Sequence, residues 1–221
     1  MNTPLRIPPL IAVAVAWLGL VAPLARADLP RVAVLEAGAV AGWEERQFDG
    51  RTEYVSTRLG NLPVVRATSS GGASGLYRQL EVDLTRTPLM RWSWGVERGI
   101  DNRGERSRAG DDFAARVYVV AADSMMFWRS RAVCYVWTSH VAPGTTWPSP
   151  YTDHVMMVAV RSGTARPGEL VAEQRDVRAD FERFFGPEVT SIDSVAIMTD
   201  TDGTGQRATA YYGDLWFTAR E

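Results

Sequence analysis

Lysine is absent from this chain of 221 residues, so all 24 basic side chains are arginine. A single cysteine, Cys134, excludes an internal disulfide and with it the small disulfide-framed secreted modules. Cys134 lies in the apolar run Ala132–Trp137, where it reads as a buried small hydrophobe rather than a nucleophile. There are two histidines, His140 and His154, without helical i, i+4 spacing and without neighbouring cysteines, which argues against zinc. No Gly-x-Ser-x-Gly occurs, so there is no nucleophile elbow. Excess positive charge is missing too. With Arg6 and Arg26 set aside in a leader, 22 arginines face 26 acids, a net charge of about −4. That balance excludes a basic footprint for nucleic acid and a polybasic patch for anionic membranes. Beyond the N-terminus no apolar run is long enough to span a bilayer.

The N-terminus has the one long apolar run. Ile7–Leu24 follows a positive charge and precedes Ala25-Arg26-Ala27, small residues at the positions a signal peptidase reads. Residues 1–27 are therefore expected to be a cleaved signal peptide, and 28–221 a single domain in the periplasm or outside the cell.

What the mature chain has in quantity is short strand signals. Trp43–Phe48, Glu53–Arg58, Leu62–Thr68, Gly75–Leu84, Pro88–Val96, Phe113–Ala121, Ala132–Thr138, His154–Arg161 and Leu170–Arg175 are separated by Gly, Asn, Asp and Ser. Such spacing predicts an all-β antiparallel sandwich. Asp49-Gly50 predicts a two-residue turn between the first two runs. Two apolar runs flanking Asp200–Gly205 predict a C-terminal hairpin with a functional or ion-holding tip. One short helix is expected near 176–185, with Asp176 as its cap, Val177, Phe181, Phe184 and Phe185 at helical spacing, and Gly186-Pro187 as its stop. Arg98–Gly110 and Pro143–Tyr151 read as long surface loops, the first of them mobile.

Alternation suggests faces. Trp92, Trp94 and Val96 share one side of their strand, as do Val117 and Val119 of another. If those sides face the core, Arg91, Arg116 and Tyr118 decorate the other, joined by Tyr135 and Trp137 opposite Cys134 and Val136. A sheet face with arginines and rings suits a sugar or an anion. Asp111 and Asp112 precede a strand and point opposite ways, so at most one enters a given cleft. Asp200 and Asp202 alternate oxygens like the start of a calcium loop, yet lack the distal glutamate that would complete one.

Arg91–Trp94, Gly110–Tyr118, Tyr135–Trp137, Arg175–Phe181 with Phe185-Gly186, and Ala196–Gly205 with Ala210–Asp214 together resemble a bacterial exported family, domain of unknown function number 3047. More distantly, Glu36, Gly42-Trp43 and Tyr212–Phe217 look like the galactose-binding-like jelly roll common in carbohydrate-binding modules. That likeness implies a structural calcium near the first and last strands, hence at Glu36 and Asp214. It also implies ligand contacts on the concave face from Arg116, Tyr118, Tyr135 and Trp137, with Asp111, Asp200 and Asp202 at the rim. The leading expectation is a non-catalytic module for a carbohydrate or other polar envelope ligand. The alternatives are a hydrolase using two carboxylates from Asp111, Asp112, Asp200 and Asp202, or a scaffold that docks a partner protein. The hydrolase would show a carboxyl pair within about ten ångströms, one of them with raised proton affinity.

Overall fold

The computed structural model describes residues 30–122, 130–163 and 168–220. The expected signal segment lies outside them. In chain order the strands are β1 (Arg31–Leu35), β2 (Glu44–Asp49), β3 (Glu53–Leu59), β4 (Leu62–Ser70), β5 (Ala73–Asp83), β6 (Leu89–Arg98), β7 (Ala115–Ala121), β8 (Arg131–Thr138), β9 (Thr146–Ser149), β10 (Thr152–Ser162), β11 (Val171–Asp176), β12 (Ser191–Asp200) and β13 (Arg207–Thr218). Among the described residues one α-helix, α1 (Val177–Phe185), interrupts them. Asp176 caps it by accepting from the Ala179 amide at 3.0 Å, and Gly186 ends it at φ +88°, as the sequence pattern predicts.

Two sheets face each other. The first runs β11-β6-β13-β4-β3, with β1 also paired to β13; the second runs β2-β5-β12-β7-β8-β10-β9. All pairs are antiparallel except β8 with β10. That exception follows from β9, which folds back onto β10 and leaves β10 running with β8. Between the sheets Trp92 meets Tyr135 at 5.5 Å and Trp94 meets Trp137 at 5.7 Å, ring centre to ring centre. Val117, Val119, Val195, Ile197, Tyr212 and Phe217 complete this buried layer. Burying each such side chain stabilises the fold by about 1.5–3 kcal/mol.

Several expectations are corrected. The C-terminal runs are not a hairpin: β12 belongs to the second sheet and β13 to the first, so 200–206 arches between layers. Asp49-Gly50 likewise carries the chain from the second sheet to the first, because β2 pairs with β5 and β3 with β4. Within the second expected loop, Thr146–Ser149 is strand, and Trp147 is buried against Phe113, Cys134, Val136 and Met157. This minor apolar cluster covers the outer face of β8 and β10, leaving the outer face of β2, β5, β12 and β7 uncovered.

Arg98–Gly110 is also not free. Glu105 is 2% exposed, and its carboxylate accepts from the amides of Ser139, His140 (3.1 Å) and Val141 (3.1 Å). Asn102 donates to the Gly110 carbonyl at 2.7 Å and the Asp112 carbonyl at 3.3 Å. The segment is thus fastened at both ends and presents Asp111 and Asp112 in fixed positions.

Candidate functional site

The uncovered face is a cleft of about 1020 Å³. Alternation along three adjacent strands builds its floor: Ala73, Gly75 and Tyr77 from β5, Ala196, Met198 and Asp200 from β12, and Arg116, Tyr118 and Val120 from β7. Small residues on β5 and β12 make the trough. Phe48 on the edge strand β2 and Tyr151 beside β10 also line it; they are 61% and 59% exposed. Arg108 lies 5.5 Å from the centre of the Tyr151 ring and donates to the Pro150 carbonyl, while Tyr151 donates to the Arg108 carbonyl at 3.1 Å. That ring is held in place on the rim.

At one end of the cleft Arg116 is buried among oxygens. Its Nε donates to Asp200 Oδ1 at 2.8 Å, and its NH2 group bonds to Asp200 Oδ2 and the Asp111 carbonyl. NH1 reaches Asp111 Oδ2 at 3.2 Å and the Tyr118 hydroxyl at 3.1 Å, and the guanidinium stands 4.6 Å from the Phe113 ring centre. Asp112 points the other way. It accepts from the amides of Gly203 at 3.1 Å and Thr204 at 2.6 Å, gripping the 200–206 arch. A Cβ on Gly203 would sit 2.9 Å from the Ala109 carbonyl oxygen, so only glycine allows this approach. Thr201 ties the arch to the β4–β5 turn through Ser69 Oγ and the Gly71 amide, both at 2.8 Å.

The electrostatics follow from burial. Loss of water pushes the Asp200 carboxyl up to about 7 against the pull of Arg116. Burial also raises Asp111 and Asp202, with Asp112 adding to the rise in both. Asp111 Oδ1 is a buried acceptor with no bonding partner among the described residues. Oxygens of Asp112, Asp200 and Asp202 lie within 4.8 Å of one another, a spacing that could hold a cation. Arg116 already offsets Asp200, however, and the Asp112 oxygens already take two amides.

The sequence-derived candidates therefore divide. Asp111, Arg116, Tyr118, Asp200 and Asp202 meet in the cleft, with Asp112 behind them. Tyr135 and Trp137 do not join them. Both point into the core, where Tyr135 donates to Asp180 Oδ2 at 2.8 Å and Trp137 to the Gly163 carbonyl at 2.9 Å. Cys134 and Val136 take the outward side instead, under Trp147. Arg91 belongs to β6 in the other sheet, in register with Gln174 and Trp216 and away from the cleft. Glu36 is exposed and ion-paired with Arg31 at 3.2 Å. Asp214 sits at the irregularity where β13 passes from pairing β4 to pairing β1, and its Oδ1 accepts the Ala37 amide at 2.8 Å. No third acid, histidine or cysteine gathers with these two among the described residues. The Asp214 bond closes the turn after β1. Phe48, Tyr77 and Tyr151 were not among the candidates. The alternation Ala73, Gly75, Tyr77, Gln79 along β5 was the available signal for Tyr77.

The family model described as protein of unknown function (DUF3047) matches residues 41–216. The chain belongs to this family. No curated protein matches the sequence. Among solved structures, the DUF3047 chain is similar to the family 30 carbohydrate-binding module of a Clostridium thermocellum cellulosomal cellulase. The two share 12% identity with TM-score 0.50, covering 87% of this chain and 99% of that one. A family 11 module of another cellulosomal cellulase from Clostridium thermocellum has 10% identity and TM-score 0.47, covering 87% and 96%. A xyloglucanase domain from Sinorhizobium fredii has 9% identity and TM-score 0.44, covering 87% and 98%. At such identities the first of these likenesses establishes the β-sandwich fold and nothing about ligand. The expected jelly-roll architecture and family are the ones observed.

Proposed function

We propose that this DUF3047 protein is a saccharide-binding module that works without catalysis, its ligand lying in the cleft over β5, β12 and β7. The observation that carries this reading is the trough itself. A floor of small residues with Tyr77 and Tyr118 is flanked by the exposed rings of Phe48 and Tyr151. Pyranose rings present flat C–H faces that stack on aromatic rings, while their hydroxyls need acceptors and donors at the edges. Asp111, Asp202, Gln79 and the tyrosine hydroxyls supply those. A carbohydrate-binding module among the fold relatives agrees with the reading by analogy. With residues 1–27 read as a signal, the saccharide would be one met in the envelope or outside the cell.

The hydrolase reading has one observation in its favour: carboxyls gather within 4.8 Å in this region, and Asp200 has raised proton affinity. Against it, both Asp200 oxygens are bonded to Arg116 and that side chain is 3% exposed. A general acid or nucleophile must reach the glycosidic bond. A scaffold reading needs a broad apolar surface. Among the described residues the exposed large hydrophobics are Phe48, Leu62 and Tyr151, and two of these line the cleft.

Glycan-array screening followed by calorimetry tests the proposal. The wild type is expected to bind a saccharide, and Tyr77→Ala and Phe48→Ala each to weaken it by about 1–3 kcal/mol with the fold intact. Release of reducing ends from the bound glycan would favour the hydrolase. A silent array, or binding indifferent to both substitutions, would refute the cleft.

A further inference from the structure

Resting on the saccharide reading, we propose that the cleft selects a glycan carrying free amines and rejects polyanionic glycans. Six carboxylates line it, Glu45, Asp49, Asp111, Asp193, Asp200 and Asp202, against two arginines, Arg46 and Arg116. The arginine at the cleft end does not stand ready for an incoming anion. Arg116 is 2% exposed with its donors directed at Asp200, Asp111 and Tyr118, so it cannot turn to a uronate or sulfate without abandoning buried carboxylates. Arg46 lies over the Phe48 ring, 5.5 Å from its centre, at the edge.

The acids are not equivalent, and their differences locate the amine. Glu45 is ion-paired with Arg51 at 2.7 Å, and Asp193 accepts the Ala122 amide at 2.7 Å. Asp200 is matched by Arg116. Asp49 stands beside Phe48 on the edge strand, while Asp111, whose Oδ2 alone pairs with Arg116 at 3.2 Å, and Asp202 line the cleft together with Tyr151. Among the described residues Asp111 Oδ1 has no bonding partner although it is out of contact with solvent, and Asp202 is exposed. A buried acceptor without a donor is costly, and a bond from a charged donor returns more than one from a hydroxyl. An ammonium on a sugar stacked against Tyr151 meets these needs. A carboxylate or sulfate in the same place adds a like charge to a low-dielectric wall.

Calorimetry with three tetrasaccharides near neutral pH provides the test: chitotetraose with free amines, cellotetraose and tetragalacturonate. The amine form is expected to bind at least about fivefold tighter than cellotetraose, the difference between charged and neutral hydrogen bonds. That advantage should shrink in high salt and in Asp202→Asn and Asp111→Asn, with tetragalacturonate not binding. Asp202 is exposed, so its substitution keeps the test valid should Asp111→Asn fail to fold. Equal affinity for cellotetraose and the amine form, or binding of tetragalacturonate, overturns the selectivity while leaving the saccharide reading standing. No binding by any of the three overturns both.

Discussion

Arg116 is the residue on which the cleft end depends. Its guanidinium holds Asp200 and Asp111 together, so Arg116→Met leaves two largely buried carboxylates without their cation. Breaking a buried pair this way is expected to cost about 3–5 kcal/mol in urea unfolding, and Arg116→Lys less, since lysine keeps charge but loses the planar fork. A methionine variant as stable as wild type would show the cluster to be incidental. Tyr135 provides the complementary case. Tyr135→Phe removes the donor to Asp180, which also takes the Arg175 guanidinium, and should cost about 1–3 kcal/mol. Saccharide affinity should not change, because the ring lies between the sheets; a clear loss of affinity would mean the core assignment is wrong. Alternation could not place this residue. Ala132–Trp137 is apolar on both sides because its outer face is covered as well, by Trp147 and Met157, and a strand buried twice carries no period-two signal. In Arg116-Val117-Tyr118-Val119, one face retains polar partners, and there the pattern assigned sides correctly.

At the scale of elements, the cleft wall is held by a segment of little regular structure. Glu105 gathers three amides of the turn after β8, and Gly110 approaches Gly104 so closely that a Cβ would stand 2.4 Å from its carbonyl oxygen. Glu105→Ala is expected to raise amide exchange at Ser139–Val141 and across 99–110. Gly110→Ala should shift Asp111 and weaken ligand binding without disturbing α1 or the core strands. Unchanged exchange in Glu105→Ala would mean the anchor is redundant. The strands and the capped helix were legible from turn residues and spacing. Which strands pair was not: Asp49-Gly50 and Asp200–Gly205 have the composition of hairpin turns, yet both span from one sheet to the other. Composition reports that the chain bends. Whether the next strand returns beside its predecessor or crosses the core is decided by distant partners, here β5 for β2 and β4 and β6 for β13.

For the whole molecule, the cleft acids set how stability responds to pH. Asp111, Asp200 and Asp202 hold protons more tightly in the folded chain than their ordinary value of 3.8 implies, Asp200 up to about 7. Groups raised in this way contribute stability that is complete below the unfolded value and is lost as pH rises through the folded one. Glu45, Asp83 and Asp101 are held below their ordinary values by hydrogen bonds, chiefly from Arg51, Thr85 and His140 respectively. Their contribution is present above the ordinary carboxylate range and fades only as pH drops beneath it. Between about pH 7 and pH 5 Asp200 therefore dominates among the carboxyls, adding at most about 1.4 kcal/mol per pH unit. The melting temperature is expected to rise on mild acidification across that window. Asp200→Asn should be less stable throughout, since Arg116 loses its main partner, and its curve should be flatter because the strongest proton acceptor is gone. Asp202→Asn, at the more solvated rim, should follow the wild-type slope closely. Scanning calorimetry of the three proteins from pH 7 to pH 5 decides the matter. A wild-type melting temperature that falls over that range would mean that Asp200 is already fully ionised in the native cleft, with Arg116 outweighing its burial.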